Sequence, residues 1–287
     1  MKRTFTKILI LCLSVFLLVG CFAAWYMNRP QTKTAVLSVV DVGQGDCSVF
    51  FTPDGHCVMI DAGPDFAESD LRAYMKNHGI QTVDYLFLTH LHDDHIGGAD
   101  MILREFEVRN IVFCDSADTS PSVLNLYVAL ADTCATGKTE RIQPESGNVF
   151  CVGDAKITVL YAPTIDSADN NASLFLRIDY FESSFLLSGD AEAEEEREVL
   201  NAVDGTLLQA DFLKVSHHGA STSTTPEYLQ AVSPSVAAIS VGVGNSYSHP
   251  HMETLLALHG ASVKVYRTDT DGTLTFLADG KSVYIKP

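Results

Sequence analysis

An α/β fold is predicted for this chain, with two sheets packed face to face between outer layers of helices in a four-layer αββα sandwich, and three observations predict it. Strand-like and helix-like segments alternate from Ala35 onward without a second linker, which describes one compact domain. The domain opens on strands, and a similar series of strands followed by helices recurs in the second half. At 287 residues and 46% hydrophobic content, the chain can bury one large core.

Residues 1–30 stand apart from that domain, which spans 31–287. Lys2, Arg3 and Lys7 are basic, and no charged side chain appears from Ile8 to Met27, about the 20 residues that a helix needs to cross a hydrocarbon layer. An export signal or membrane anchor is expected. Leu18-Val19-Gly20-Cys21 has the look of a lipoprotein signal, with Cys21 as the lipid carrier. The apolar run continues through Phe22-Ala23-Ala24-Trp25-Tyr26, which favours an uncleaved anchor. Basic residues on the N-terminal flank keep that end inside, so the domain is expected outside the cytoplasm, held to the membrane.

Past the polar tether Asn28–Thr34, Ala35–Val42, Cys47–Phe51 and Cys57–Asp61 are rich in β-branched and aromatic residues and are predicted strands. Thr52-Pro53-Asp54-Gly55 makes the last two a hairpin. Leu71, Tyr74 and Met75 at helical spacing predict a helix over Phe66–Asn77, stopped at His78-Gly79. Val83–Leu88 is the next strand. In the second half, strands are predicted at Ile157–Tyr161, Ser173–Tyr180, Ser184–Leu187, Asp211–Val215 and Ser235–Ser240. Helices follow Asp190 and span Pro226–Val232 and Met252–Leu258, and closing strands run through Ile285.

Charge excludes one broad class. Nineteen Lys and Arg against 36 Asp and Glu leave a net charge of −17, so a general electrostatic grip on nucleic acid is not supported. Any attraction to phosphate must be confined to a local patch. Glu192, Glu194, Glu195 and Glu196 are read as a solvated face in the first turns of a helix. Of seven cysteines, Cys47, Cys57, Cys114, Cys134 and Cys151 lie in the domain without a C-x-x-C pair, which is no structural zinc framework. Small buried hydrophobes are the expectation for them.

The chemistry is concentrated in Thr89-His90-Leu91-His92-Asp93-Asp94-His95, which sets three imidazoles and two carboxylates directly after a strand. Imidazole nitrogen and carboxylate oxygen are the donors that hold zinc, manganese or iron, and a loop leaving a strand end can turn several toward one point. Ser188-Gly189-Asp190 ends another strand in a carboxylate that could bridge two cations. Val215-Ser216-His217-His218-Gly219 ends a third in imidazoles. Adjacent histidines on an extended chain point to opposite sides, so one of His217 and His218 is expected to bind metal while the other orients a neighbour or substrate. Asp61, at a strand end near the motif, is expected to hold a ligand histidine through its other nitrogen.

H-x-H-x-D-H is the signature of the metallo-β-lactamase superfamily, and the chain resembles a dinuclear metallohydrolase of that family. Asp41-Val42-Gly43-Gln44-Gly45-Asp46, Met59–Gly63, Lys214–Gly219, Asn245–His251 and Arg267-Thr268-Asp269 narrow the resemblance to the metallo-β-lactamase domain of ComEC-type DNA-uptake proteins, over about Ala35 to Pro287. No string of further transmembrane helices is present, so a stand-alone relative of that domain is expected.

The resemblance implies that His90 and His92 hold a first divalent metal, that Asp94 and His95 hold a second completed by His217 or His218, and that Asp190 bridges them. No histidine occurs from Ile96 to Ser216 to complete the first site. Asn171 with Ser173, or neighbouring Asn170, occupies that place, and an amide oxygen favours manganese or an incompletely filled first site over two tight zincs. The implied nucleophile is a metal-bridging hydroxide, with Asp94 orienting the water. His249 is expected to donate to phosphate or the leaving oxygen, helped by Lys214 or Asn245. His56, His78 and His259 are expected at the surface.

A phosphodiesterase or nuclease using two Zn or Mn ions, with single-stranded DNA a possible substrate, is therefore the expected function. A hydrolase of cell-wall phosphodiesters, lactams or lactones is one alternative; a DNA- or envelope-binding module with a degenerate metal site is another.

Overall fold

The computed structural model describes residues 34–163 and 170–286; the expected anchor at 1–30 lies outside them. No helix among the described residues is long and apolar enough to cross a membrane. Fifteen strands run in chain order among the described residues: β1 (Ala35–Val39), β2 (Ser48–Phe51), β3 (Cys57–Ile60), β4 (Thr82–Phe87), β5 (Glu107–Val112), β6 (Glu140–Ile142), β7 (Val149–Val152), β8 (Ala155–Tyr161), β9 (Phe175–Tyr180), β10 (Ser183–Leu187), β11 (Phe212–Lys214), β12 (Val236–Ile239), β13 (Lys264–Arg267), β14 (Leu274–Ala278) and β15 (Val283–Ile285). They form an eight-stranded sheet ordered β15-β14-β1-β2-β3-β4-β5-β6 and a seven-stranded sheet ordered β13-β12-β11-β10-β9-β8-β7.

A four-layer sandwich needs three apolar interfaces, and the described residues form three apolar clusters. Strand alternation assigns side chains to them. Along β3, Cys57 and Met59 face the outer helices of the first sheet, while Val58 and Ile60 face the second sheet. Along β12, Val236 and Ala238 face inward and Ala237 and Ile239 face the helices on the other side. Phe50 of β2 and Phe185 of β10 meet edge to face at 5.7 Å between the sheets. The helices α1 (Glu68–Asn77), α2 (Asp93–Ile96), α3 (Ala99–Glu105) and α4 (Pro121–Ala135) follow strands of the first sheet. α5 (Ala193–Ala202), α6 (Gly205–Leu208), α7 (Pro226–Val232), α8 (Met252–Gly260) and α9 (Thr268–Asp271) follow strands of the second. The αββα fold class stands as predicted.

Several elements differ in detail. The predicted helix from Phe66 begins as a short 3-10 turn, Asp65–Ala67, and becomes α-helical at Glu68. The hairpin between β2 and β3 is as expected, closed by Thr52 N–H to His56 O at 3.1 Å. Helix α4 has no counterpart in the sequence reading, although Ser120, whose Oγ accepts from Val123 N–H, and Pro121 at the first helical position mark its start. The acidic face of α5 is corrected: Glu195 and Glu196 are buried, because Glu196 reaches across to accept from the backbone N–H groups of Thr224 and Thr225 at 2.5 and 2.8 Å. The five domain cysteines are free thiols, with Cys47 and Cys57 buried and Cys151 exposed.

The pairings β3–β4 and β10–β11–β12 are parallel. Parallel neighbours present their carboxyl ends on one side, where α/β folds gather functional groups. Asp61 follows β3, Thr89 and His90 follow β4, Asp190 follows β10, His218 follows β11 and Ser240 follows β12.

Candidate metal centre

Asp94, His95, Asp190 and His218 converge so that one ligand atom from each lies within 4.8 Å of the others. Asp190 sits between imidazoles: Oδ1 is 3.2 Å from His95 Nε2 and Oδ2 is 3.5 Å from His218 Nε2. Asp94 Oδ2 is 3.1 Å from His218 Nε2 and 4.0 Å from His95 Nε2. The rings of His90 and His92 stand next to this group, with the His90 centroid 4.5 Å from His92 and 4.1 Å from His95.

Each of three imidazoles is fastened by one nitrogen and offers the other. His95 Nδ1–H donates to Asp61 Oδ2 at 2.8 Å. The same carboxylate accepts from Thr89 N–H at 2.7 Å and Thr89 Oγ1–H at 2.8 Å. With its proton committed there, Thr89 Oγ1 presents a lone pair to His90 Nδ1 at 3.3 Å. His218 Nδ1–H donates to the Ser240 carbonyl at 2.9 Å. The Nε2 atoms of His90 and His95 are buried and have no hydrogen-bond partner, as is Asp190 Oδ1. Buried polar atoms left without hydrogen-bond partners are costly unless a cation sits among them, so the donor set fits a divalent metal.

Electrostatics agree. Burial disfavours a charged ring at His218, but Asp190, Asp94 and Asp46 outweigh it and push its pKa up to about 10. His95 is raised against the same penalty by Asp190, Asp61 and Asp94. Asp94 and Asp190 are held well below the usual carboxylate range, despite burial, by these two histidines. The cluster thus demands positive charge. His90 goes the other way: burial, and then His95, keep its ring neutral, the form that ligates.

Backbone fit places the carboxylates. Gly189 adopts φ +50°, and a Cβ there would lie 2.6 Å from Thr89 Oγ1, so only glycine lets the Asp190 turn close on the histidine loop. Asp190 N–H then donates to Ser173 Oγ at 3.1 Å, while Ser173 Oγ–H donates to the Asn170 carbonyl at 2.8 Å. Asp46 N–H donates to the Asp94 carbonyl at 3.0 Å, and a Cβ on the preceding Gly45 would collide with that oxygen. Gly45 in turn offers its own carbonyl to Ser240 Oγ at 2.7 Å.

Four sequence expectations are corrected here. His217 does not join the cluster: both His217 and His218 have positive φ, 49° and 53°, rather than the extended backbone assumed, so their rings do not simply alternate. His217 Nδ1 lies 3.1 Å from Glu192 Oε1, and its Nε2 is 3.4 Å from Asn170 Nδ2 and 3.9 Å from Asp190 Oδ2. Asn171 Oδ1 accepts from Glu192 N–H at 3.2 Å at the entry to α5, and Asn170 is the amide beside His217. Lys214 cannot meet a substrate. Strand alternation puts it between the sheets with Phe212, 2% exposed, where Nζ donates to Asp46 Oδ2 at 2.7 Å and to the Val215 carbonyl at 3.1 Å. Asn245 is spent on backbone, its Oδ1 accepting from His249 N–H and its Nδ2–H donating to the His249 carbonyl.

His249 remains at the mouth, its ring 5.5 Å from His217 and 6.3 Å from His218. Burial first, then His218, His217 and His251, push its pKa down to about 4, and its Nδ1 is buried without a partner. His251 straps the loop: Nδ1 accepts from Ser221 N–H at 2.9 Å and Nε2–H donates to the Tyr247 carbonyl at 3.2 Å. His78 and His259 are exposed as expected, and His56 is half-buried with Nδ1 3.1 Å from Asp84. A cleft of about 470 Å³ opens beside the cluster, lined by His92 and Asp94 with Gln44, Phe66, Asp118 and Tyr247.

Residues 40–113, from the Asp46 loop through the histidine loop and β5, match the family model of the metallo-β-lactamase superfamily. The chain carries a metallo-β-lactamase domain. Among metallo-β-lactamase-fold structures, the protein YhfI of Bacillus subtilis superposes with a TM-score of 0.58 at 14% identity, over 86% of this chain and all of that one. ComE operon protein 3 of Bacillus subtilis is 31% identical, over 96% of this chain and 37% of that protein. Recombination protein 2 of Haemophilus influenzae is 28% identical, over 93% of this chain and 32% of that protein. These are ComEC-like competence proteins, and the chain spans about a third of the length of either. A metal-dependent hydrolase with ComEC-like relatives is what the metallo-β-lactamase fold and the ligand cluster together support.

Asp61 gives a direct check on the ligand network. Asp61→Asn keeps the shape but replaces the acceptor of the His95 proton with an amide, and metal affinity is expected to fall about 10- to 100-fold. Titration of the chelator-stripped protein with manganese and zinc would measure it; unchanged affinity would remove Asp61 from the account.

Proposed function

We propose that this metallo-β-lactamase-superfamily protein is a phosphodiesterase, with DNA as its leading substrate, acting outside the cytoplasmic membrane to which residues 1–30 attach it. The observation that carries this reading is the convergence of Asp94, His95, Asp190 and His218 next to two further imidazoles, at the edge of an open cleft. Asp94, His95 and His218 would hold one divalent cation, His90 and His92 another, with Asp190 placed to serve both. Such cations lower the pKa of water toward about 7 and offset the charge that builds on a phosphoryl group.

The chain's own residues divide the remaining work. Asp61 and Ser240 fix two histidines in the orientation that turns Nε2 inward. Asp94, whose side chain is 34% exposed, can orient a water on the cleft side by accepting its hydrogen bond while Oδ2 holds His218. His249 is neutral near pH 7 and can donate one N–H to a phosphate or leaving oxygen from the mouth. The name of one further relative, Competence protein ComA of Neisseria gonorrhoeae, 26% identical over 92% of this chain, supports DNA as the polymer in question.

The test is cleavage of end-labelled single-stranded DNA by protein loaded separately with manganese and with zinc, with His92→Ala as control. Metal-dependent cleavage lost in the variant is expected. No cleavage by folded, metal-loaded protein would send the search to small or cell-wall phosphodiesters.

A further inference from the structure

The mouth of the cleft carries two exposed aromatic rings that neither the core nor the ligand network uses. Phe66 is 70% exposed and Tyr247 63% exposed, and both line the same cleft as His92 and Asp94. Each is held on a fixed base. Phe66 sits in the 3-10 turn before α1, with its N–H on Asp65 Oδ1 at 2.7 Å; its ring passes close over Gly43, where an added Cβ would be 3.3 Å from Cε2. Tyr247 is pinned by N–H to Asn245 Oδ1 at 3.2 Å and by its carbonyl to His251, and its ring stacks on His249 at 5.6 Å and 26°. Two large rings kept in water beside a catalytic centre lose the stabilisation that burial would give them, and a flat ligand restores it.

The charged residues of the cleft narrow the ligand further. Asp65, Asp93, Asp94 and Asp118 line it, with no lysine or arginine among its lining residues. A long phosphate backbone finds no cationic track there, and the net charge of −17 repels one at longer range. What the cleft can grip is one flat ring beside one phosphodiester.

Resting on the phosphodiesterase reading above, we propose that Phe66 and Tyr247 clamp a nucleobase next to the metal centre, so that the substrate is a short or unpaired nucleotide diester held at one base and one phosphate. Bases inside a duplex are stacked on each other and are not offered to such a clamp. Free dinucleotides and the ends of single strands share this chemistry, and substrate length separates them.

The experiment compares thymidine dinucleotide, a 20-mer of thymidine and a 20-base-pair duplex as substrates of the full-length, manganese-loaded protein over a range of salt, with bis(p-nitrophenyl) phosphate reporting the hydrolytic centre. The dinucleotide and the 20-mer are expected within about 10-fold of each other in kcat/KM, with a log–log salt slope no steeper than about −1.5, the value for one or two phosphates on a single strand. Free dinucleotides as the favoured source would put the dinucleotide ahead; strand ends would put the 20-mer ahead within that range. The duplex should be cleaved about 100-fold more slowly. Phe66→Ala and Tyr247→Ala should each raise KM for the dinucleotide about 5- to 100-fold, with most of the effect in KM rather than kcat, and Tyr247→Trp should restore it. Hydrolysis of bis(p-nitrophenyl) phosphate together with KM values untouched by both alanine variants, or with equal cleavage of duplex and single strand, would overturn the clamp alone. Absence of hydrolysis of every diester would overturn the clamp and the phosphodiesterase reading together.

Discussion

Asp190→Asn is expected to reduce metal-dependent phosphodiester hydrolysis by about 1,000-fold or more while leaving the fold in place. The side chain is nearly isosteric, so packing changes little, but a carboxylate whose two oxygens face different histidines loses its charge. Removing a single preorganised electrostatic contact in an active site typically costs about 100- to 1,000-fold, and on the proposed assignment Asp190 would serve both cations. Metal content of the purified variant, read beside its circular dichroism, separates this outcome from misfolding. A variant that keeps full metal occupancy and most of its activity would remove Asp190 from the centre.

Lys214→Met is expected to be the most destabilising single change near the site. The substitution keeps the aliphatic stem but leaves Asp46 buried, its Oδ2 without the ammonium at 2.7 Å and its Oδ1 already without a hydrogen bond. Breaking a buried pair on one side typically costs about 3–5 kcal/mol, which at about 2–4 °C per kcal/mol for a domain of this size is a large fall in Tm. Asp46→Asn combined with Lys214→Met should lose less than the sum of the two single changes, since the double variant strands no charge. Thermal melts of the three variants measure both effects. If Lys214 instead touched substrate, the single variant would lose activity at an unchanged melting temperature.

Lys214 also shows where sequence reading stops. Its place on a strand next to two histidines was legible, and so was the alternation that decides which way it points. Its partner was not, because Asp46 lies 168 residues away and nothing local to either residue signals the other. The fold was readable because its signals are local: β3 and α7 lie where apolar periodicity and turn residues put them. The histidine loop and Gly189-Asp190 were readable because chemistry is concentrated at strand ends. The choice between His217 and His218 was not, since it depends on two consecutive positive φ values that an extended-chain argument misses. Asn170 and Asn171 differ by one residue and are separated only by which of them the Ser173 and Glu192 contacts lock in place. Glu196 reads as a surface acid because the backbone amides it accepts from belong to a turn 28 residues further on.

The cluster of Asp94, His95, Asp190 and His218 is expected to bind divalent metal, and the metal-loaded protein to hydrolyse phosphodiesters. Hydrolysis of bis(p-nitrophenyl) phosphate by one preparation, stripped with chelator and then reloaded stepwise with manganese or zinc while bound metal is quantified, tests it most directly. Activity should be absent in the stripped protein and rise in proportion to bound metal. Full metal occupancy with no turnover of this or any other phosphodiester would contradict it.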